Sequence, residues 1–266
     1  MVIEHPVRAY WLLKTQGELG FAQAYYEGAI RTNSLFNLLT LGHDNREAFK
    51  QFFDLKPGNR WQLRLHRQRH NSLQNSQKNI SYHYDLGNDF YSLWLDSTMS
   101  YSSALGVSEV SNLSQSQTNK YQRIWQELDV GKGANLLEIG CGWGGFMETA
   151  LKNGAGVKGL TLSKEQAAYA ENRLAQIDAD VDYEVALQDY RLEESQYDGI
   201  VSIEMFEAVG KEYWDNYFEV LYRSLKPGAK AVLQIITIDD SVAESYQQEV
   251  DFIQTYIFPG GLLPSI

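Results

Sequence analysis

Glycines crowd into one short stretch, Asn135-Leu136-Leu137-Glu138-Ile139-Gly140-Cys141-Gly142-Trp143-Gly144-Gly145-Phe146, and a carboxylate stands just ahead of them. The apolar run Leu136–Ile139 reads as a buried parallel strand, and Gly145 to Lys152 as the helix that follows it. Such a turn lets the backbone bend sharply and lets a ligand come into van der Waals contact, where a Cβ would block it. Two ligands of Rossmann-type folds suit it, a dinucleotide and S-adenosylmethionine (SAM). The dinucleotide fingerprint is G-x-G-x-x-G, with an acidic residue about 20 residues on for the ribose. Here the pattern is G-x-G-x-G-G, and Glu138 lies inside the strand. A carboxylate there attracts the cationic aminoacyl end of SAM and repels a pyrophosphate. The next strand, Val157 to Leu162, ends in Thr161-Leu162-Ser163 without an acid, so Ser163 and Gln166 are left to offer neutral hydrogen bonds. SAM is the expected ligand; a turn that serves packing alone is the competing reading.

A second candidate segment precedes the turn. Residues 76 to 106 are aromatic and polar at once, with Asn79-Ile80-Ser81-Tyr82-His83-Tyr84-Asp85-Leu86-Gly87-Asn88-Asp89-Phe90-Tyr91 and Met99-Ser100-Tyr101-Ser102-Ser103-Ala104. It reads as an active-site loop. Each member alone is the ordinary stuff of a core; the cluster makes the case. A third segment is a charge anomaly. Lys56, Arg60, Arg64, Arg67, Arg69 and Lys78 occur with no acid from position 56 to 78, interleaved with Trp61, Leu63 and Leu65. Two readings apply, a solvated linker and a docking surface for anionic lipid headgroups, each basic residue worth about 1 kcal/mol near such a surface.

The elements that must carry these segments follow from periodicity. Helical pieces begin at Tyr10-Trp11-Leu12-Leu13, Phe21 to Tyr26 and Leu35 to Leu39, punctuated by Gly17, Gly20, Gly28 and Gly42, with Asn33-Ser34 as an N-cap. A helix from Asn112 to Leu128 leads into strands Leu136–Ile139, Val157–Leu162, Val181–Ala186, Gly199–Ile203 and Ala231–Ile236. Helices are expected at Lys164–Ile177 and from about Lys211 to Leu225, a turn at Lys226-Pro227-Gly228, and a last polar helix from Ser241 to about Ile257. The alternation predicts an α/β fold with a parallel sheet and its ligand at the carboxyl ends of the strands. Residues 1–75 are expected to form a helical subdomain with a basic linker, and residues 76–266 the cofactor-binding domain. The apolar ending Phe258-Pro259-Gly260-Gly261-Leu262-Leu263-Pro264-Ser265-Ile266 leads to the expectation of an incomplete chain.

With 266 residues and a net charge of −11, the composition provides a full core and argues against nucleic acid as a general partner. The same charge is repelled by an anionic bilayer, so lipid contact would need a local patch. One cysteine, Cys141, rules out a disulfide within the chain and fits a reducing, cytoplasmic setting. Neither a long apolar run nor a signal-peptide pattern is present. No metal is expected.

The sequence resembles the cyclopropane-fatty-acyl-phospholipid synthases and mycolic-acid cyclopropane synthases from about Gly20 to Ile266. The resemblance is carried by Gly20-Phe21-Ala22, His83 to Tyr91, Met99 to Ser102, Leu137 to Phe146, Thr161 to Gln166, Asp189-Tyr190-Arg191, Ser202 to Gly210 and Tyr256 to Gly261. It implies the class I SAM-dependent methyltransferase fold, with five of its seven strands visible. It implies SAM contacts at Tyr101, Ser102, Leu137, Glu138, Ile139, Gly140, Cys141, Gly142, Trp143, Gly144, Gly145, Thr161, Leu162, Ser163, Gln166, Asp189 and Tyr190. The substrate it implies is an unsaturated acyl chain on a phospholipid, so the protein is expected at a membrane periphery, docked through Lys56, Arg60, Arg64, Arg67 and Arg69. A homodimer is a further open expectation.

The implied reaction makes a carbocation, from which a bound bicarbonate removes a proton as the ring closes. Tyr82, Tyr84, Tyr101, Phe206 and Trp143 are the expected aromatic walls, and Glu207 is expected to orient the bicarbonate. Two positions depart from the resemblance. Ser103 stands for a cysteine and Gln234 for a histidine, both in the bicarbonate pocket. Tyr101, Ser103, Glu207 and Gln234 are thus the candidate catalytic residues. The departures open the alternatives of a methyl-branched or methylene product, and of an inactive remnant that binds SAM or lipid.

Overall fold

The computed structural model describes residues 1–45, 47–48, 71–84, 86–107, 112–248 and 250–266, with the backbone alone at Gln74, Gln77, Ser81 and Tyr82. Five strands form the parallel sheet: β3 (Asn135–Ile139), β4 (Gly156–Thr161), β5 (Tyr183–Leu187), β6 (Tyr197–Ile203) and β7 (Leu225–Gln234). Labels β1 and β2 belong to a short pair described below. The order is β5-β4-β3-β6-β7. From β3 the chain winds outward to β5, then returns to build β6 and β7 on the other side. The crevice at the carboxyl ends of β3 and β6 is therefore the topological switch point, where such sheets take ligands.

Burial on both faces explains why β3 is apolar around Glu138, with Leu136, Leu137 and Ile139 all buried. Register then fixes what stands at the strand ends. Ile139 is opposite Leu160 and Ser202, and Ile203 is opposite Gln234. Glu138, Glu204 and Gln234 consequently gather at one end of the sheet.

The helices packed on the sheet follow from caps and apolar faces. Asn112 accepts from Ser114 N to cap Leu113–Leu128, and Ser163 accepts from Gln166 N to cap Lys164–Leu174. The latter helix ends before Ile177 because Gln176 N and Ile177 N turn back to Arg173 O and Leu174 O. Helix Gly145–Lys152 has the expected bounds. The Lys211 region opens with a 3₁₀ turn, Lys211–Tyr213, before the α-helix Trp214–Ser224. The expected turn at Lys226-Pro227-Gly228 is a bulge inside β7. Tyr197 pairs with Leu225 and Gly199 with Lys230, and Gly228 (φ 82°) supplies the left-handed residue. The segment read as a loop is helical in part, with Leu73–Tyr84 and Asn88–Ser92.

The chain divides into two compact units, Met1–Arg69 with Asp240–Pro259, and His70–Asp239 with Gly260–Ile266. In the first, helix Pro6–Tyr26 breaks at Gly17 (φ 57°, ψ −125°), as its punctuation implied. Ser34 caps helix Leu35–Asp44. A two-stranded antiparallel pair, β1 (Val2–Ile3) with β2 (Ile30–Arg31), was not foreseen, since two-residue strands leave no period to read. The last polar helix is interrupted. It runs over Asp240–Tyr246, and a π-helical turn, Ile253–Ile257, starts afresh where Asp251 accepts from Gln254 N.

A Cβ built on Gly159, in the centre of β4, would lie 2.3 Å from Met147 Sδ and 2.8 Å from Cys141 Cβ. Gly159→Ala is expected to cost about 1–3 kcal/mol by overpacking. That lowers the thermal midpoint by several degrees, at about 2–4 °C per kcal/mol, as read by circular dichroism melting.

Candidate active site

The glycine turn divides its labour. A Cβ on Gly140 would meet Met205 Cγ at 2.8 Å, and one on Gly145 would meet the Tyr121 hydroxyl at 2.4 Å. Gly144 backs onto Ala170, whose Cβ would lie 3.1 Å away. These three glycines serve packing. Gly142, with φ 53°, has nothing within 4 Å of its would-be Cβ, so open space lies there. Gly140 N and Cys141 N both donate to Leu160 O at 2.9 Å, tying the turn to β4. Cys141 itself is buried in the core beside Phe146 and Met147.

Glu138 is 2% exposed, and its Oε2 is a buried oxygen without a hydrogen-bond partner among the described residues. Burial raises its pKa well above the carboxylate range, opposed by the charge of Lys120 and the N–H of Met147. A buried carboxylate with a spare lone pair, in the strand that leads to an open glycine, is the environment that fits a cationic ligand such as SAM.

Lys120, only 3% exposed, is the buried cation that sequence reasoning missed. Its Nζ donates to Ser102 Oγ and Gln117 Oε1 and lies 4.6 Å from the Tyr121 ring. Gln117 Nε2 in turn donates to Ser102 O at 2.8 Å. The signal was available. Gln117, Lys120, Tyr121, Ile124 and Leu128 recur at helical spacing on the buried face of one helix, so a lysine sits on the apolar stripe.

Ser102 is thus joined to the Glu138 end, and Tyr101 beside it joins the aromatic cluster. Tyr101 stacks on His83 (centroids 5.6 Å apart, 19°) and meets Trp94 edge-on at 5.2 Å. Tyr91 lies 5.0 Å from Trp143, and Tyr84 lies 5.6 Å from it. Trp143 Nε1 donates to Asn88 Oδ1 at 2.7 Å, fastening the glycine turn to the aromatic segment. Phe206 is not part of this wall; it packs with Trp214 and Tyr217 in a second cluster. The side chain of Tyr82 lies outside the described residues, as do Lys56, Arg60, Arg64, Arg67 and Arg69.

On the β4 side, Thr161 Oγ1 donates to Gln166 Oε1 at 2.8 Å, and the Ser163 hydroxyl is engaged by the helix cap. Leu162 is half-buried between them. Both oxygens of Asp189 are taken by Arg191, which also donates to Asn71 O and Ser76 Oγ. Tyr190 packs edge-on against Tyr217 at 5.4 Å. The carboxylate of Asp189 is therefore committed within the protein.

Glu204 is the second residue to which sequence reasoning gave no role. Its Oε1 accepts from Ser103 N, Ser103 Oγ and Gln234 Nε2, each at 2.8 Å. Gln234 Nε2 also reaches Ser103 Oγ at 2.9 Å. Glu207 lies one 3₁₀ turn on. Its Oε1 accepts from Ile236 N, its Oε2 is buried without a partner, and its backbone O accepts from Leu262 N. Burial raises its pKa, and the charge of Glu204 adds to the rise. The two candidate residues Ser103 and Gln234 are brought together, but on a carboxylate. The donors that the resemblance assigns to bicarbonate are already used, between two glutamates, and a second anion does not fit there.

A parallel sheet with this switch point, a glycine turn after its first central strand and a buried carboxylate beside it defines a class I SAM-dependent methyltransferase fold. The chain belongs to the family described as mycolic acid cyclopropane synthetase, whose family model matches residues 71–266. The chain is 39% identical over 197 residues to the tuberculostearic acid methyltransferase UfaA1 of Mycobacterium tuberculosis, covering 71% of this chain and 46% of that protein. It is 40% identical over 186 residues to the cyclopropane-fatty-acyl-phospholipid synthase of Escherichia coli K12, covering 69% and 46%. It thus spans about half the length of these two relatives. Among solved structures, mycolic acid cyclopropane synthase CmaA1 complexed with SAH and CTAB superposes with a TM-score of 0.66 at 34% identity, covering 71% of this chain and 70% of that one. The family comprises SAM-dependent cyclopropane synthases and fatty acid methyltransferases. No helix among the described residues is long and apolar enough to cross a membrane.

Burial lowers the Lys120 pKa to about 8, whereas the unfolded chain keeps that proton up to about 10.4. Between those values the unfolded state binds more protons, so this group makes stability rise with pH by up to about 1.4 kcal/mol per unit. Lys120→Met is expected to flatten that rise, measured as urea-unfolding free energies at several pH values from 8 to 10.

Proposed function

We propose that the protein methylates the cis double bond of an unsaturated phospholipid acyl chain and closes a cyclopropane ring on it. SAM, when bound, supplies an electrophilic methyl group on a sulfonium. The observation that carries this reading is the sequence of groups from Glu138, whose Oε2 has no partner among the described residues, through the charge of Lys120 and its bond to Ser102, to Tyr101 and its aromatic neighbours. One end of that run suits a cationic ligand, and the other suits a hydrocarbon that becomes cationic. Glu138, in the strand that leads to the open Gly142, holds the aminoacyl end of SAM. Thr161, Ser163 and Gln166 line the β4 edge. Tyr84, Tyr101 and Trp143 turn π-faces and edges into one cluster, and each face is worth about 0.5–2 kcal/mol to a nearby cation. Their bulk also excludes water, which would otherwise capture the carbocation. Glu207 orients the group that takes the proton.

A second product is favoured by a specific observation. Ser103 and Gln234 are neutral donors bound to Glu204, where the resemblance has a cysteine and a histidine. That difference supports a fatty-acyl C-methyltransferase that leaves a methylene or methyl-branched chain. Ring and methylene products have equal mass, so NMR of lipids extracted after incubation with SAM and unsaturated phospholipid vesicles decides between them. Cyclopropane methylene protons are the expected signal, vinylidene protons identify the second product, and no new signal refutes both. Glu207→Gln is expected to lower turnover by about 10²-fold, and unchanged turnover would remove its role.

The lipid reading also gives the basic stretch a purpose, as a dock on anionic headgroups. Helix Leu35–Asp44 adds exposed Leu35, Phe36 and Leu39, with Phe36 77% exposed. Replacing Arg60, Arg64, Arg67 and Arg69 together by glutamine is expected to weaken sedimentation with anionic vesicles by about 4 kcal/mol at low salt. Neutral vesicles should be little affected. Equal binding of the unaltered protein to both vesicle types would end the proposal.

A further inference from the structure

We propose that Glu204 is the proton acceptor of the reaction, its carboxylate standing where the resemblance places a bound bicarbonate. The proposal rests on the methyl-transfer reading above. Three donors, Ser103 N, Ser103 Oγ and Gln234 Nε2, converge on one oxygen of this side chain. Such convergence fixes the carboxylate in one orientation. The other oxygen accepts no hydrogen bond among the described residues and is left for a proton.

The backbone testifies to the same placement. Glu204 has φ 49°, in the left-handed region that non-glycine residues rarely enter, and its N–H is pinned to Gln234 O at 2.8 Å. Strain of this kind persists where the surroundings over-determine it. Here it carries the carboxyl group off the end of β6 onto Ser103. Ser103 directly follows Tyr101 and Ser102, of which Tyr101 stacks in the aromatic cluster and Ser102 accepts from Lys120, so the carboxylate is tied to both by two and one residues of chain.

The step balances without an added reagent. Methyl transfer leaves the acyl chain positively charged at the carbon next to the one that gained the methyl. A C–H bond of the new methyl breaks and its proton passes to Glu204. The freed electron pair closes the three-membered ring, or after a 1,2-hydride shift forms the double bond of a methylene group. The protonated Glu204 then returns the proton to solvent. Glu207, whose carboxyl is buried and held by Ile236 N, is the neighbour that positions this pair rather than the acceptor itself.

The test compares the full-length protein with its Glu204→Gly variant, glycine being the residue that tolerates φ 49° without strain. Line broadening of ¹³C-labelled bicarbonate reports anion binding apart from any turnover. The proposal expects none with the unaltered protein and broadening with the variant, whose Ser103 and Gln234 donors are then vacant. Turnover on unsaturated phospholipid vesicles with SAM is measured in CO₂-purged buffer and with added bicarbonate or formate. The unaltered protein is expected to change less than about twofold. The variant should melt near the same temperature, bind SAM by calorimetry as before, lose about 10²-fold or more in turnover, and recover part of it with either anion. Bicarbonate binding to the unaltered protein, a bicarbonate requirement for its turnover, or near-normal turnover of the variant would each overturn the proposal. Absence of turnover by the unaltered protein, with the expected broadening pattern intact, would instead overturn the methyl-transfer reading and leave the anion replacement supported.

Discussion

Carboxylates held out of water at strand ends demand compensation, and the local structure is organised by how they obtain it. Glu138, 2% exposed, stands one residue before the end of β3, half-buried Glu204 follows β6, and the described cation that both act on is Lys120, itself 3% exposed. Lys120 and Arg173 both act on Glu138 without overcoming its burial. Glu204 meets its share of the demand with three hydrogen bonds from Ser103 and Gln234. Glu138 does not, since one of its oxygens has no partner among the described residues. The deficit is a positive charge, in the strand that leads into the turn whose Gly142 faces open space. A sulfonium cofactor with a cationic amino group answers that deficit, whereas a nicotinamide dinucleotide would bring further negative charge to it.

The aromatic segment has to be fixed against this charged end, and polar ties do so. Trp143 binds Asn88, Arg173 donates to Thr98 O at 2.7 Å and to Trp143 O at 3.3 Å, and Tyr91 donates to His83 O at 2.8 Å. Arg173 is itself paired with Glu148 in the helix that leaves the glycine turn. Turn, helix and aromatic residues are thereby one assembly. A cluster of rings can stabilise a transient cation only if its faces are already in place, because reorganisation would consume the benefit. The ties between segments about 30 to 75 residues apart in sequence provide that fixity.

These facts also explain what the sequence could and could not disclose. The sheet was legible because strands buried on both faces become largely apolar runs, as in Leu136–Ile139. The glycine turn was legible because few other local structures need four glycines so close. Ser34, Asn112 and Ser163 announce their helices by cap chemistry. What stayed hidden depends on partners distant in the chain. Asp189 reads as a ligand residue until Arg191 is seen on both of its oxygens. Phe206 reads as part of an aromatic wall until the packing of Trp214 and Tyr217 claims it. The loop expected over residues 76–106 is helical at Leu73–Tyr84 and Asn88–Ser92 because its tyrosines pack as one cluster, a tertiary effect that overrides their weak helix preference. Glu204 could not be singled out because its importance lies in a left-handed backbone angle and two partners, one 101 and one 30 positions away.

The departures at Ser103 and Gln234 become intelligible as a set with Glu204. A histidine can carry a positive charge and hold a free anion by attraction; a serine and an amide offer neutral donors. Neutral donors are a poor trap for an anion drawn from solution, more so at Ser103, which is exposed and where water competes. They are sufficient for a carboxylate that cannot leave, because the backbone has already met the entropic cost of bringing it there. A tethered base needs only orientation, and three hydrogen bonds to one oxygen supply it. Ser103, Glu204 and Gln234 are therefore one hydrogen-bonded set, in which both partners orient the carboxylate without adding charge beside it. Loss of Glu204 would leave the two neutral donors vacant, with only a small anion supplied in excess to occupy them.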